Sequence, residues 1–179
     1  MGKILIVIKN VLYFSIWQRQ PLKLLLLQGA TMPRTINDQG LALVKRFEGL
    51  KLDAYQDVAG VWTIGYGHTR GVRPGMHITE AEAEQALRDD LHGAEHVVDT
   101  AVGSATTSDN QFSAMASLCF NIGAANYRSS TVLKQHIAGN HSAAADAFLL
   151  WNKAHVNGVL QEVAGLTNRR AAERQLYLS

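Results

Sequence analysis

FEGLKLDAYQDVAGVWTIGYGH, residues 47–68, carries a glutamate (Glu48), an aspartate nine positions later (Asp57) and a threonine six beyond that (Thr63). Cleaving a glycosidic acetal needs a proton donor for the leaving oxygen and an opposed carboxylate, so the pair Glu48 and Asp57 supplies the residue types for that chemistry. Upstream, TINDQGLALVKRFEG (35–49) offers Thr35 as an N-cap with Asp38 three residues on. Ile36, Leu41, Val44 and Phe47 follow at roughly helical spacing, with Gly49 as a stop. Glu48 is thus expected on the last turn of a helix beside apolar Phe47, where loss of solvent favours the protonated acid. Downstream, DAYQDVAGVWTIGYG (53–67) alternates around Gly60 and predicts a short hairpin, with Asp57 and Thr63 on either side of one turn and a water held between them. Each acid has a plainer role as well, solvated at a helix end or capping its own turn. The joint spacing sets this pair apart.

That spacing, followed by Gly65-Tyr66-Gly67-His68, resembles the phage-type lysozymes of glycoside hydrolase family 24. The resemblance continues through QFSAMASLCFNIG (111–123), SSTVL (129–133), Trp151 and GLTNRRAAERQLYL (165–178), in the same order. It implies an α+β, mainly helical fold of two lobes: a small β-hairpin lobe, a linking helix and a helical C-terminal lobe. It also implies a role for each matching residue. Glu48 matches the general acid, Asp57 the carboxylate that orients or activates water, and Thr63 the hydroxyl that helps to hold it. Asn121 matches a residue lining the saccharide cleft and Arg169 an arginine facing the catalytic glutamate, while His68 is a structural histidine near the site.

The activity so implied is that of an endolysin, a muramidase hydrolysing the β-1,4 bond between N-acetylmuramic acid and N-acetylglucosamine in bacterial peptidoglycan during host-cell lysis. Neither cofactor nor metal is expected. The alternatives are a lytic transglycosylase, which cuts the same bond without needing Asp57 and Thr63 to hold water, and a non-catalytic glycan-binding module. The expected partners are peptidoglycan strands and a phage holin that releases the enzyme from the host cytoplasm to the periplasm or wall. The enzyme is expected to act as a monomer, without nucleic acid.

The 179 residues, 47% hydrophobic, are enough for one domain with its own core. Cys119 is the single cysteine, so no intrachain disulfide forms, and its apolar context AMASLCF predicts a core thiol. The net charge of +2 is uneven. Residues 1–37 hold five basic side chains and no acid, which leaves twelve basic against fifteen acidic in the remainder, or −3. Residues 1–34 therefore read as a basic, partly apolar arm, and 35–179 as the catalytic domain. In the arm Lys9, Arg19, Pro21 and Lys23 interrupt ILIVI, VLYFSIW and LLLL, which disfavours a spanning helix. A segment lying on an anionic membrane surface and an extension ahead of a start at Met32 are the readings that remain, with export through the arm not expected.

Thr79 with Glu82 and Ser108 with Gln111 predict capping boxes, and further helices are expected near Ser129, Ser142 and Thr167. Gly139-Asn140 in reverse order and Asn157-Gly158 are expected to punctuate them. His92-Gly93-Ala94-Glu95-His96 fits the H-x-x-E-H zinc-peptidase pattern. Gly93 weakens the helix that the motif requires, and a solvated helix face is the expected reading.

Overall fold

A computed structural model describes residues 33–156 and 158–179; the arm expected over 1–34 lies, up to Met32, outside the described residues. The first helix, α1 (Asp38–Glu48), is capped by Asn37, whose Oδ1 accepts from the Gly40 amide at 2.9 Å. The cap falls two residues later than Thr35 because the Asn37 amide, which a Thr35 cap would accept from, donates to Ser113 Oγ at 3.0 Å, while the Ile36 amide donates to the buried Glu95 carboxylate at 2.8 Å. These tertiary bonds hold the chain extended until Asn37. At the other end Gly49, with φ 75° and ψ 157°, stops the helix in a conformation that side-chain-bearing residues rarely adopt, which leaves Glu48 as its final residue.

Strands β1 (Lys51–Gln56) and β2 (Trp62–Gly65) form the expected antiparallel hairpin, with Tyr55 opposite Thr63 and a register shift between Lys51 and Tyr55. The chain then returns along the other edge of β1, where Ala54 donates to the Met76 carbonyl and Ile78 to that of Leu52. Helix α2 (Glu80–Val102) opens with the complete Thr79/Glu82 capping box and runs 23 residues, about 35 Å. Its buried stripe, Ala83, Leu87, Leu91, Ala94, Val98 and Val102, recurs every three or four residues. The N-terminal part packs against the hairpin, and the helix continues to meet α3 (Asp109–Ile122) and α5 (Thr131–Ile137).

Helix α3 is buried on every side from Phe112 to Cys119 and forms the axis of the helical lobe. Around it lie α1, α2, α4 (Ala124–Ser129) and α7 (Ala164–Leu178), with α5 and α6 (His141–Phe148) packed on each other and α6 against α7. Helix α1 thus belongs to the helical lobe although it precedes the hairpin in sequence. Two starts differ from the sequence reading by small shifts, Ser130 capping α5 and α7 beginning at Ala164, three residues ahead of Thr167.

A larger difference lies between α6 and α7. Helix α6 ends in a 3-10 turn (Leu149–Trp151), and β3 (Lys153–Val156) and β4 (Val159–Glu162) then form a second antiparallel hairpin. The sequence reading placed only a break between helices here. Val156 pairs with Val159, and the two letters between them in the sequence, Asn-Gly, are the strongest short hairpin signal there is.

Candidate active site

The expected acid sits where two lobes meet in sequence terms: Glu48 ends α1, rooted in the helical lobe, and the next residues enter the hairpin lobe. Its side chain is 24% exposed, and Oε1 accepts from Arg169 Nη1 at 2.6 Å. Arg169 comes from α7, 121 residues along the chain, and is itself buried. A guanidinium has donors only, so a proton carried by Glu48 must sit on the other oxygen, Oε2.

Asp57 opens the hairpin turn. Its Oδ1 accepts from the amides of Ala59 at 2.9 Å and Val61 at 2.8 Å, and its own amide donates to the Val61 carbonyl. Two backbone bonds fix the carboxylate, while Oδ2 has no protein partner among the described residues. Thr63 follows on β2, 4% exposed, and its hydroxyl donates to the Val61 carbonyl at 3.0 Å. With its one proton committed, Thr63 Oγ1 is left as an acceptor. The Asp57 carboxylate and the Thr63 hydroxyl are thus both tied to Val61, one through its amide and the other through its carbonyl.

Asn121 stands exposed near the end of α3, and its Oδ1 accepts from Arg170 Nη2 at 3.1 Å, so that its NH₂ group is what remains to meet a ligand. His68 is a bracing residue in the hairpin lobe. Its backbone pairs in both directions with Ile64, Nδ1 contacts Asp90 Oδ2 of α2 at 2.8 Å and Nε2 contacts the Arg70 carbonyl at 3.0 Å. The histidine therefore fastens the hairpin to α2 and does not face the acids through either ring nitrogen.

Residues 45–173 match the phage lysozyme family. The chain belongs to the phage lysozyme family. It is 44% identical to an endolysin of Acyrthosiphon pisum secondary endosymbiont phage 1, over 80% of this chain and 98% of that one. It is also similar to a solved endolysin from Escherichia coli O157:H7 phage FAHEc1, with 40% identity and a TM-score of 0.76 over 82% of this chain and 94% of that one. The muramidase domain of SpmX from Asticaccaulis excentricus resembles it to the same TM-score, 0.76, at 38% identity, over 82% of this chain and 99% of that one. The solved structures share the phage lysozyme fold, and the family match spans Glu48, Asp57, Thr63, His68, Asn121 and Arg169.

Other features of this phage lysozyme chain do not join the site. A depression of about 320 Å³ among α2, α3 and α4 is lined by Gly93, Ala94, Val97, Cys119, Phe120 and Ala124. Its lining holds no acid, and burial, opposed by Arg128, pushes the Cys119 thiol up to about 11, so the sulfur stays protonated and is no nucleophile. The zinc-like motif also divides: His92 and His96 are exposed, whereas Glu95 is buried and bonded to the Ile36 amide.

Sequence reasoning missed two side chains bound to the predicted ones, Arg170 and Glu173. Both lie on α7, where Glu173 follows Arg169 by four residues and Arg170 by three, the spacings at which a helix brings it beside each arginine. The run R-R-A-A-E was therefore a visible signal.

Proposed function

We propose that the protein is a muramidase endolysin that hydrolyses the β-1,4 bond after N-acetylmuramic acid in bacterial peptidoglycan. The observation that carries this reading is the Glu48 carboxyl, buried to three quarters and fixed by Arg169 on one oxygen, at the junction of a helical lobe and a hairpin lobe bearing Asp57 and Thr63. The endolysin and muramidase relatives support it. Glu48 Oε2 gives its proton to the glycosidic oxygen as the bond to the anomeric carbon breaks, with the electron pair leaving on that oxygen. A water donates one hydrogen to Thr63 Oγ1 and the other to Asp57 Oδ2, and its oxygen attacks the opposite face of the sugar. Asp57 takes the water's proton, which returns through solvent to Glu48. Water is consumed, and the products are a reducing muramic end and a free 4-hydroxyl. The Asn121 NH₂ donates to a saccharide acceptor from the helical lobe.

The wall is the site of action, and passage from the host cytoplasm through a holin lesion is the release route that this reading entails. Glu48→Gln tests the acid. Gln keeps shape and hydrogen bonding to Arg169 but has no proton to give, so turnover of purified peptidoglycan should fall about a hundred- to ten-thousandfold while thermal unfolding is unchanged or shifts upward. Activity within a fewfold of the parent would remove Glu48 from that role.

A further inference from the structure

Glu173 is fully buried, and no step above uses it. Its Oε1 accepts from Ser117 Oγ at 2.7 Å, Arg170 Nη2 at 3.0 Å and Arg169 Nε at 3.2 Å. Arg170 Nε lies 2.8 Å from Oε2, in ionic contact but out of line for a hydrogen bond, and Arg170 Nη1 has no hydrogen-bond partner among the described residues. The two guanidiniums diverge from this one carboxylate. Arg169 extends Nη1 to Glu48, and Arg170 extends Nη2 to Asn121. A buried ion cluster is a poor device for stability, because apolar side chains of similar volume do as well or better. What apolar residues would not provide is two aimed cations.

Glu48 ends α1, α7 brings Arg169, Arg170 and Glu173, and α3 contributes the uncharged Ser117 and Asn121; α6 meets α7 through the exposed pair Asp146 and Arg174. Leaving Glu48 aside, the buried cluster of two arginines and one glutamate carries one net positive charge. Without Glu173 it would carry two. Burial pushes the Glu173 carboxyl up from its ordinary value, opposed by Arg170, Arg169 and Ser117 in that order. All of its contacts are donors, and a carboxylate accepts from them without a proton of its own to place.

Resting on the reading of Glu48 as the acid, we infer that Glu173 is a positioning residue that aims Arg169 at Glu48 and Arg170 at Asn121 while holding the positive field at the Glu48 proton to a single charge. The test is the pH dependence of peptidoglycan hydrolysis by the full chain, with folding checked by near-ultraviolet circular dichroism. A merely structural residue would lower the rate without moving the alkaline limb, which reports loss of the donated proton. Glu173→Gln adds one positive charge and should move that limb toward acid by about one pH unit. Arg170→Gln removes one and should move it toward alkali by a similar amount. The double change Arg170→Met with Glu173→Met restores the charge count and should return the limb to its parental position, with KM raised by loss of the bond to Asn121. If Glu173→Gln fails to fold, the opposite shift in Arg170→Gln and the restored limb in the double variant still decide the matter. An unmoved limb in folded Glu173→Gln, or shifts of the same sign in both single variants, would overturn the inference. Activity retained in Glu48→Gln would instead remove the reading on which it rests.

Discussion

Short-range bonds set the local placement of Glu48, Asp57 and Thr63. Gly49 ends α1 one residue after Glu48, Asp57 caps its own turn, and Thr63 reaches back two residues to Val61. Each is a short-range consequence of residue type and spacing. The partners that complete the site were less legible. Arg169 was placed by resemblance, and no periodicity could have joined it to Glu48 across 121 residues. Glu173 was missed because a glutamate in a helix reads as solvent-facing until packing shows otherwise. The Thr63 hydroxyl yields a prediction that separates water positioning from saccharide binding. Thr63→Val keeps the branched, buried shape but removes the acceptor, so kcat on peptidoglycan should fall roughly ten- to a hundredfold with little change in KM. A raised KM at constant kcat would place the hydroxyl in binding.

Capping boxes and hydrophobic stripes made α2 and α3 readable, since Thr79/Glu82 and Ser108/Gln111 satisfy their helix starts within three residues. The start of α1 was misplaced for the opposite reason: Ser113, on α3, and Glu95, on α2, capture the Asn37 and Ile36 amides from outside the local sequence. The second hairpin was a different kind of miss, because its Asn157-Gly158 signal was present and was read as punctuation. Packing between elements also explains Gly40. A Cβ built there would lie 2.6 Å from both Ile36 Cγ1 and Ser113 Cβ, closer than atoms approach, so α1 and α3 touch only because that residue has no side chain. Gly40→Ala, which a helix interior would otherwise welcome, should lower stability by about 1–3 kcal/mol through overpacking, measured by urea unfolding. An equal or higher midpoint would show that the helices can part without cost.

Across the whole described domain, the C-terminal helix is tied in through a buried polar chain as well as through apolar packing. His136 Nδ1 lies 2.6 Å from the Tyr177 hydroxyl and Nε2 lies 2.7 Å from Thr107 Oγ1, whose proton goes to the Ala105 carbonyl; His141 Nδ1 meets the same tyrosine at 3.1 Å. Burial, followed by His141 and Arg34, lowers the His136 titration from 6.5 to about 4. The native state therefore binds this proton less readily than the unfolded chain does. The stability contribution is complete above pH 6.5 and is lost as pH falls toward 4, amounting to about 1–3 kcal/mol. Melting temperature should fall more steeply over that window in the parent than in His136→Gln, and parallel curves would contradict the assignment. The fold class was legible as a whole because the family's motifs follow one another along the chain in the family's order, whereas the chemistry remains a claim about one bond and one water. Its most direct test is digestion of purified peptidoglycan in heavy-oxygen water, with the muropeptides read by mass spectrometry. Hydrolysis through Glu48, Asp57 and Thr63 predicts reducing N-acetylmuramic ends that carry the heavy oxygen. Unlabelled anhydro-muramic ends, or free peptides with the glycan strands intact, would contradict it.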